Sequence, residues 1–136
     1  MTDEAVVTWR GGVRFEAEAR GHRVVIDQPR DEGGTDEGIT PLECLAVSLA
    51  SCVAYFAARF AQRHAVTLDA LRVGVTWDYE ERPHRVGRFD VRLAYRGALD
   101  PTMRERLLAV AQGCTVHHTL AHAPDVTVTL DKESPD

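Results

Sequence analysis

The stretch "TPLECLAVSLASCVAYFAARF", residues 40 to 60, constrains the fold more than any other part of the chain. Thr40 supplies an N-cap hydroxyl, Pro41 a residue pre-set for the first helical turn, and Glu43 the carboxylate of a capping box. Leu42, Leu45, Leu49, Cys52, Val53, Phe56 and Phe60 then recur at helical spacing, which predicts a helix from 41 to about His64. Ala50, Ala54, Ala57 and Ala61 lie on other faces, so the helix can be buried on more than one side.

Elements to cover it are legible on both sides. "AVVTWR", "GVRFEAEA" and "HRVVIDQ" read as strands, punctuated by Gly11, Gly12 and Gly21 at hairpin spacing. Residues 29 to 40, "PRDEGGTDEGIT", hold four acidic residues and three glycines, with no large apolar side chain before Ile39, and read as an exposed loop. After the helix, "LRVGVTWDYEE" and "RVGRFDVRLAYRG" flank a turn at Arg82-Pro83-His84. Alternation puts Val73, Val75 and Trp77 on one face of the first strand, and Phe89, Val91, Leu93 and Tyr95 on one face of the second. Asp100-Pro101 opens a second helix with Met103, Leu107, Val110 and Ala111 as its stripe, ending at Gly113. "CTVHHTLAHAP" is a short helix or turn, "DVTVTL" a final strand, and the last residues, "DKESPD", read as frayed. The order βββ-α-ββ-α-β, with helices segregated from hairpins, predicts a single α+β domain over residues 1–136.

Chain length suits a core that needs no staples, at 136 residues. A formal charge of -5 gives no electrostatic reason to expect nucleic acid or an anionic membrane surface. The start, "MTDEAVVTWR", does not read as a signal peptide, and the longest uncharged run, "CLAVSLASCVAYFAA", is 15 residues. A bilayer span needs about 20 apolar residues, so the cytosol is the expected location. Three cysteines are too few and too odd in number for a secreted disulfide framework, so any disulfide here is expected to be chemical rather than structural.

Cys44 and Cys52 share the predicted helix eight residues apart, about 12 Å along its axis, too far to bridge each other. Cys44 reads as packing. Cys114 follows Gly113 at a helix end, where a side chain can be brought to another element. His118 and His122 are spaced for one helical face near Cys114 and His117, but no C-x-x-C or H-E-x-x-H accompanies them, so no metal site is expected. No Ser-His-Asp signature is present, and "GGTDEG" lacks the Lys-Ser/Thr of a phosphate loop.

"GGTDEGITPLECLAVSLASC", followed about sixty residues later by "CTVHHTL" and a last short strand, resembles the OsmC-like proteins, which include the organic hydroperoxide resistance enzymes. The resemblance implies intertwined homodimers of α+β subunits with central helices packed across the interface. It implies a two-cysteine peroxidase with Cys52 as the peroxidatic thiol and Cys114 as the resolving one, joined on oxidation while Cys44 stays free. The implied substrate is a small organic hydroperoxide, the implied partner a thiol reductant, and no cofactor is implied. The chemistry is thiolate attack on a peroxide oxygen, sulfenic acid formation and condensation with the second thiol.

A buried thiol needs a cation to stabilise its thiolate. Enzymes of this family use an arginine, held by a glutamate next to the helix-start proline. Here Leu42 follows Pro41 and the glutamate is one place later, at Glu43. At about 100° per residue, position 42 lies about 80° from Cys52 and position 43 about 180°. Glu43 is therefore expected to face away from the thiol, with capping as its alternative role. Arg30, in the loop leading into the helix, is the favoured activating residue, and Arg14, on the second strand, comes next. The resolving segment commonly begins Cys-Pro in the family; here it is Cys114-Thr115. The alternative function is a non-peroxidase member of the fold that binds a small apolar ligand in the dimer crevice.

Overall fold

The computed structural model describes residues 3–133. Residues 134–136, part of the tail expected to fray, lie outside the described residues. Three short strands come first: β1 (Val6–Trp9), β2 (Phe15–Ala19) and β3 (His22–Ile26) form an antiparallel meander in that order. Gly11 and Gly12 turn the first connection and Gly21 the second, each with positive φ. An isolated parallel bridge from Ile26 to Ile39 then ties the end of β3 to the approach of the central helix.

The expected loop runs between them and is mostly exposed, with a single 3-10 turn at Arg30–Glu32. Two of its glycines are required by space. A Cβ at Gly34 would overlap the Gln28 carbonyl, and one at Gly38 would overlap the Val25 carbonyl.

α1 (Pro41–Arg63) begins as its sequence requires. The Glu43 backbone N–H donates to Thr40 Oγ1 at 3.1 Å, and the Thr40 N–H donates to Glu43 Oε1 at 2.8 Å. Both halves of the capping box are formed. Ala46, Leu49, Val53, Ala57, Phe60 and Ala61 make its buried stripe. With 23 residues and a mean hydropathy of 1.7, α1 also meets the length and composition of a bilayer span. Its buried stripe meets other elements of the chain instead, as a core helix does.

β4 (Asp69–Glu80) and β5 (Arg85–Arg96) form the long hairpin. Val73 pairs with Leu93, Val75 with Val91 and Trp77 with Phe89, so the two predicted apolar faces are one face. That face lies against α1. α2 (Pro101–Gln112), capped by Asp100 accepting from the Met103 N–H at 2.9 Å, covers another side of α1. Leu107 and Phe60 are buried together there, each worth about 2 kcal/mol by area removed from water. The segment after Cys114 is a true short helix, α3 (Thr115–Ala121).

One expected element is missing. Residues 125–130, read as a final strand, pair with no strand among the described residues, and Val126, Val128 and Leu130 are 81%, 91% and 97% exposed. Their alternation is that of a strand with one apolar face, but among the described residues no sheet edge receives it. The β1–β3 sheet is similarly bare. Val6, Val7, Trp9, Val24 and Val25 are all exposed, and the sheet makes little packing contact with the helices of its own chain.

Candidate dithiol site

α1 and α3 bring two of the three cysteines together. Cys114 is fully buried, at 0% exposure, in the cluster of Leu49, Val53 and Ala111, and half-buried Cys52 packs against that cluster from α1. Cys114 is also the N-cap of α3, its Sγ accepting the His117 N–H at 3.2 Å. Burial pushes the Cys114 thiol above its ordinary pKa; the His117 N–H opposes this, and the neighbouring Cys52 thiol adds to it. Cys114 is thus held as a neutral thiol. Cys44 is half-buried in the first turn of α1 and belongs to neither core cluster.

An apolar cleft of about 520 Å³ opens between α1, β5, α2 and α3, with neither Cys52 nor Cys114 in its walls. Its walls include Leu49 and Val53 of α1, Phe89 and Val91 of β5, and Leu120 of α3. Leu49, Val53, Phe89 and Val91 also belong to or adjoin the cluster that holds Cys114.

The other sequence-predicted residues have hydrogen-bond partners or surroundings of their own. Glu43 is engaged in the capping box with Thr40, the alternative role expected of it. Arg30 opens the 3-10 turn and is exposed. Arg14 donates through Nη1 to Glu37 Oε2 at 2.8 Å and through Nη2 to the Arg10 carbonyl at 3.4 Å. Among the described residues, no guanidinium hydrogen-bonds to either thiol within the subunit.

The sequence reading missed what holds Arg14. Thr35 Oγ1 lies 2.6 Å from Glu37 Oε2 and 2.8 Å from Asp27 Oδ2. Asp27, 1% exposed, also accepts the backbone N–H groups of Gln28 at 2.8 Å, Glu37 at 3.0 Å and Thr35 at 3.3 Å. These bonds lower the Asp27 pKa, the Glu37 N–H most of all. The Glu37 carboxyl is lowered too, by Thr35 first and then by Arg14. The available signal was Asp27 itself, an acid closing the apolar run "VVI" where an exposed polar turn would have followed.

The His118 and His122 rings are tilted by 44° to one another, with centroids 6.2 Å apart. Among the described residues no group of three His, Cys, Asp or Glu side chains could hold a metal ion.

An α+β subunit whose central helix carries one thiol of an adjacent pair defines a class of protein, and comparison supplies the family. Residues 34–129 match the model of the OsmC-like protein family, and the chain belongs to that family. Among solved structures it is similar to a proposed osmotic stress induced and detoxification response protein of Psychrobacter arcticus, with 26% identity over 88% of each chain and a TM-score of 0.78. It shares its fold with an OsmC-like protein of Mycoplasma pneumoniae, at 19% identity over 90% of this chain and 89% of that one, TM-score 0.77. It shares it also with the organic hydroperoxide resistance protein of Bacillus subtilis, at 18% identity over 88% and 90%, TM-score 0.59. No curated protein matches the chain in sequence.

Proposed function

We propose that the protein is a thiol-dependent peroxidase that reduces organic hydroperoxides. The observation that carries this reading is the juxtaposition of half-buried Cys52 and fully buried Cys114, in a cluster whose Leu49, Val53 and Ala111 also line an apolar cleft. The Cys52 thiolate attacks the distal oxygen of the hydroperoxide, an S–O bond forms as the O–O bond breaks, and the alkoxide leaves and takes a proton. The Cys114 sulfur then attacks the sulfenic sulfur, and the hydroxide leaves with the Cys114 proton as water. One hydroperoxide and two thiols become one alcohol, one water and one disulfide. Assignment of roles follows exposure: a peroxide reaches Cys52 first, and the neutral Cys114 thiol waits behind it.

The protein acts as a homodimer in this proposal, with the bare β1–β3 sheet of one copy covering the other. Activation falls to an arginine of that sheet or of the loop after it. Arg14 is the better ordered of the two candidates, because Glu37, Thr35 and Asp27 fix its direction, whereas Arg30 is exposed on its turn. Binding of an apolar ligand without turnover is the second reading, favoured by the absence of a guanidinium on the thiols within one subunit.

Titration of reduced protein with an alkyl hydroperoxide separates the two. The peroxidase loses two thiols per peroxide, gains a Cys52–Cys114 disulfide found by peptide mapping, and does neither as the Cys52→Ser variant. Thiols that survive excess peroxide would leave only the ligand-binding reading. Arg14→Met is expected to slow the reaction at least tenfold, with Arg30→Met as the comparison.

A further inference from the structure

Thr35 has one hydroxyl proton and two carboxylate neighbours. Its Oγ1 lies 2.6 Å from Glu37 Oε2 and 2.8 Å from Asp27 Oδ2. Asp27 Oδ2 also accepts the backbone N–H groups of Glu37 and Thr35, at 3.0 and 3.3 Å, and Asp27 is 1% exposed. Among the described residues, Glu37 Oε2 has one other donor, Arg14 Nη1 at 2.8 Å. Arg14, Glu37, Thr35 and Asp27 thus form one chain, fixed in the protein at its inner end and positively charged at its outer end.

Exposure decides what the inner half of the chain is for. The Arg14 and Glu37 side chains are 40% and 52% exposed. An ion pair that exposed is weakly held by itself, because water screens it and two long side chains give up rotamer freedom. Both bonds to Glu37 fall on one oxygen, Oε2, so the Thr35 hydroxyl fixes the atom that Arg14 follows. The Arg14 backbone is set by the turn before β2: its N–H donates to the Gly11 carbonyl at 3.0 Å, and its carbonyl accepts the Arg10 N–H at 2.9 Å. Arg10 and Glu16 are the other charged side chains lining the recess that Arg14 and Glu37 share, and they pair with each other at 3.5 Å. Two of the five guanidinium N–H groups are used, on Glu37 and on the Arg10 carbonyl. Among the described residues the other three have no acceptor.

We propose that Thr35 is a positioning residue: anchored on buried Asp27, its hydroxyl holds Glu37 so that Arg14 faces one way, with three donors free for a Cys52 thiolate. The proposal rests on the reading above in which Arg14 activates Cys52 in the homodimer. The glutamate that holds the arginine is then Glu37 of the loop, and not a residue next to Pro41, where Leu42 stands. Loss of the Thr35 hydroxyl keeps the charge of Arg14 but frees its direction.

The test follows alkylation of Cys52 by iodoacetamide from about pH 5 to pH 9 in the intact reduced protein, read by mass spectrometry on the Cys52 peptide. Alkylation consumes the thiolate, so its rate reports the support that form receives and needs no peroxide. Thr35 is exposed, and Thr35→Val removes its hydroxyl while leaving Asp27 its backbone donors. The change is expected to slow alkylation at pH 7 about three- to tenfold, the factor of one hydrogen bond of ordinary net strength, and to shift the profile to higher pH. Thr35→Ser should restore the parent profile. Arg14→Met should slow alkylation at least as much, and Thr35→Val should add nothing on top of it, because Thr35 acts through that guanidinium. Should the valine variant not fold, Thr35→Ala removes the same hydroxyl and carries the same expectations. A Thr35→Val profile that matches the parent's would overturn the proposal, even with a lower urea midpoint, since that is a structural role alone. So would a full further loss in the double variant, or a Thr35→Ser that behaves as Thr35→Val does. The peroxidase reading fails separately: alkylation that follows Thr35 and Arg14 while alkyl hydroperoxide consumes no thiol leaves this inference standing and removes that one. A profile that Arg14→Met does not move removes this inference, and peroxide titration still decides the other.

Discussion

Glu43 and Asp27 divide between them the work that acidic residues do around α1. Glu43 holds the first turn through two bonds to Thr40, and glutamine can make both, so Glu43→Gln should leave stability and peroxide turnover nearly unchanged. Glu43→Ala should cost about 1 kcal/mol in urea unfolding, again with turnover intact. Asp27 behaves differently because its pKa is depressed in the folded protein. Its stabilisation is fully present above its unfolded value, near 3.9, and is lost as pH falls through the lower folded value. Asp27→Asn should therefore lower the denaturant midpoint at pH 7 and reduce the parent's loss of stability in acid, as measured by unfolding curves from pH 7 to pH 2. The capping role of Glu43 was legible in sequence because the spacing Thr40 to Glu43 alone fixes it. Arg14's partner was not, since Glu37 lies 23 residues away on a loop folded around a buried aspartate.

Among the elements, α1 and the β4–β5 hairpin were legible for reasons internal to each. α1 carries its own cap and stripe, and the hairpin's alternation fixes its register before any partner is known. α3 was ambiguous because seven residues hold too few periods to separate helix from turn. The tightest packing on α1 is at Ala57, 0% exposed between Phe60 and Leu107. Ala57→Leu should destabilise by about 1–3 kcal/mol through overpacking, read as a lower urea midpoint with an unchanged slope. The same change at exposed Ala94 of β5 should have little effect.

At the scale of the whole molecule, the misread strand and the bare sheet share one property, apolar side chains left exposed in this subunit. Residues 125–130 and β1–β3 carry apolar side chains that this subunit leaves in water, so their partners are sought in a second copy. Multi-angle light scattering at micromolar concentration should give twice the 15.1 kDa of one chain. Val128→Asp, placing a charge on the apolar face of the unpaired segment, should shift that mass toward one chain; a stable 15.1 kDa parent would overturn the dimer. If folding and pairing are one reaction, stability is not a property of the chain alone but of how much of it is present. The melting temperature would then rise with protein concentration, by mass action. A dilute sample would lose its capacity to consume peroxide before any thiol had been spent.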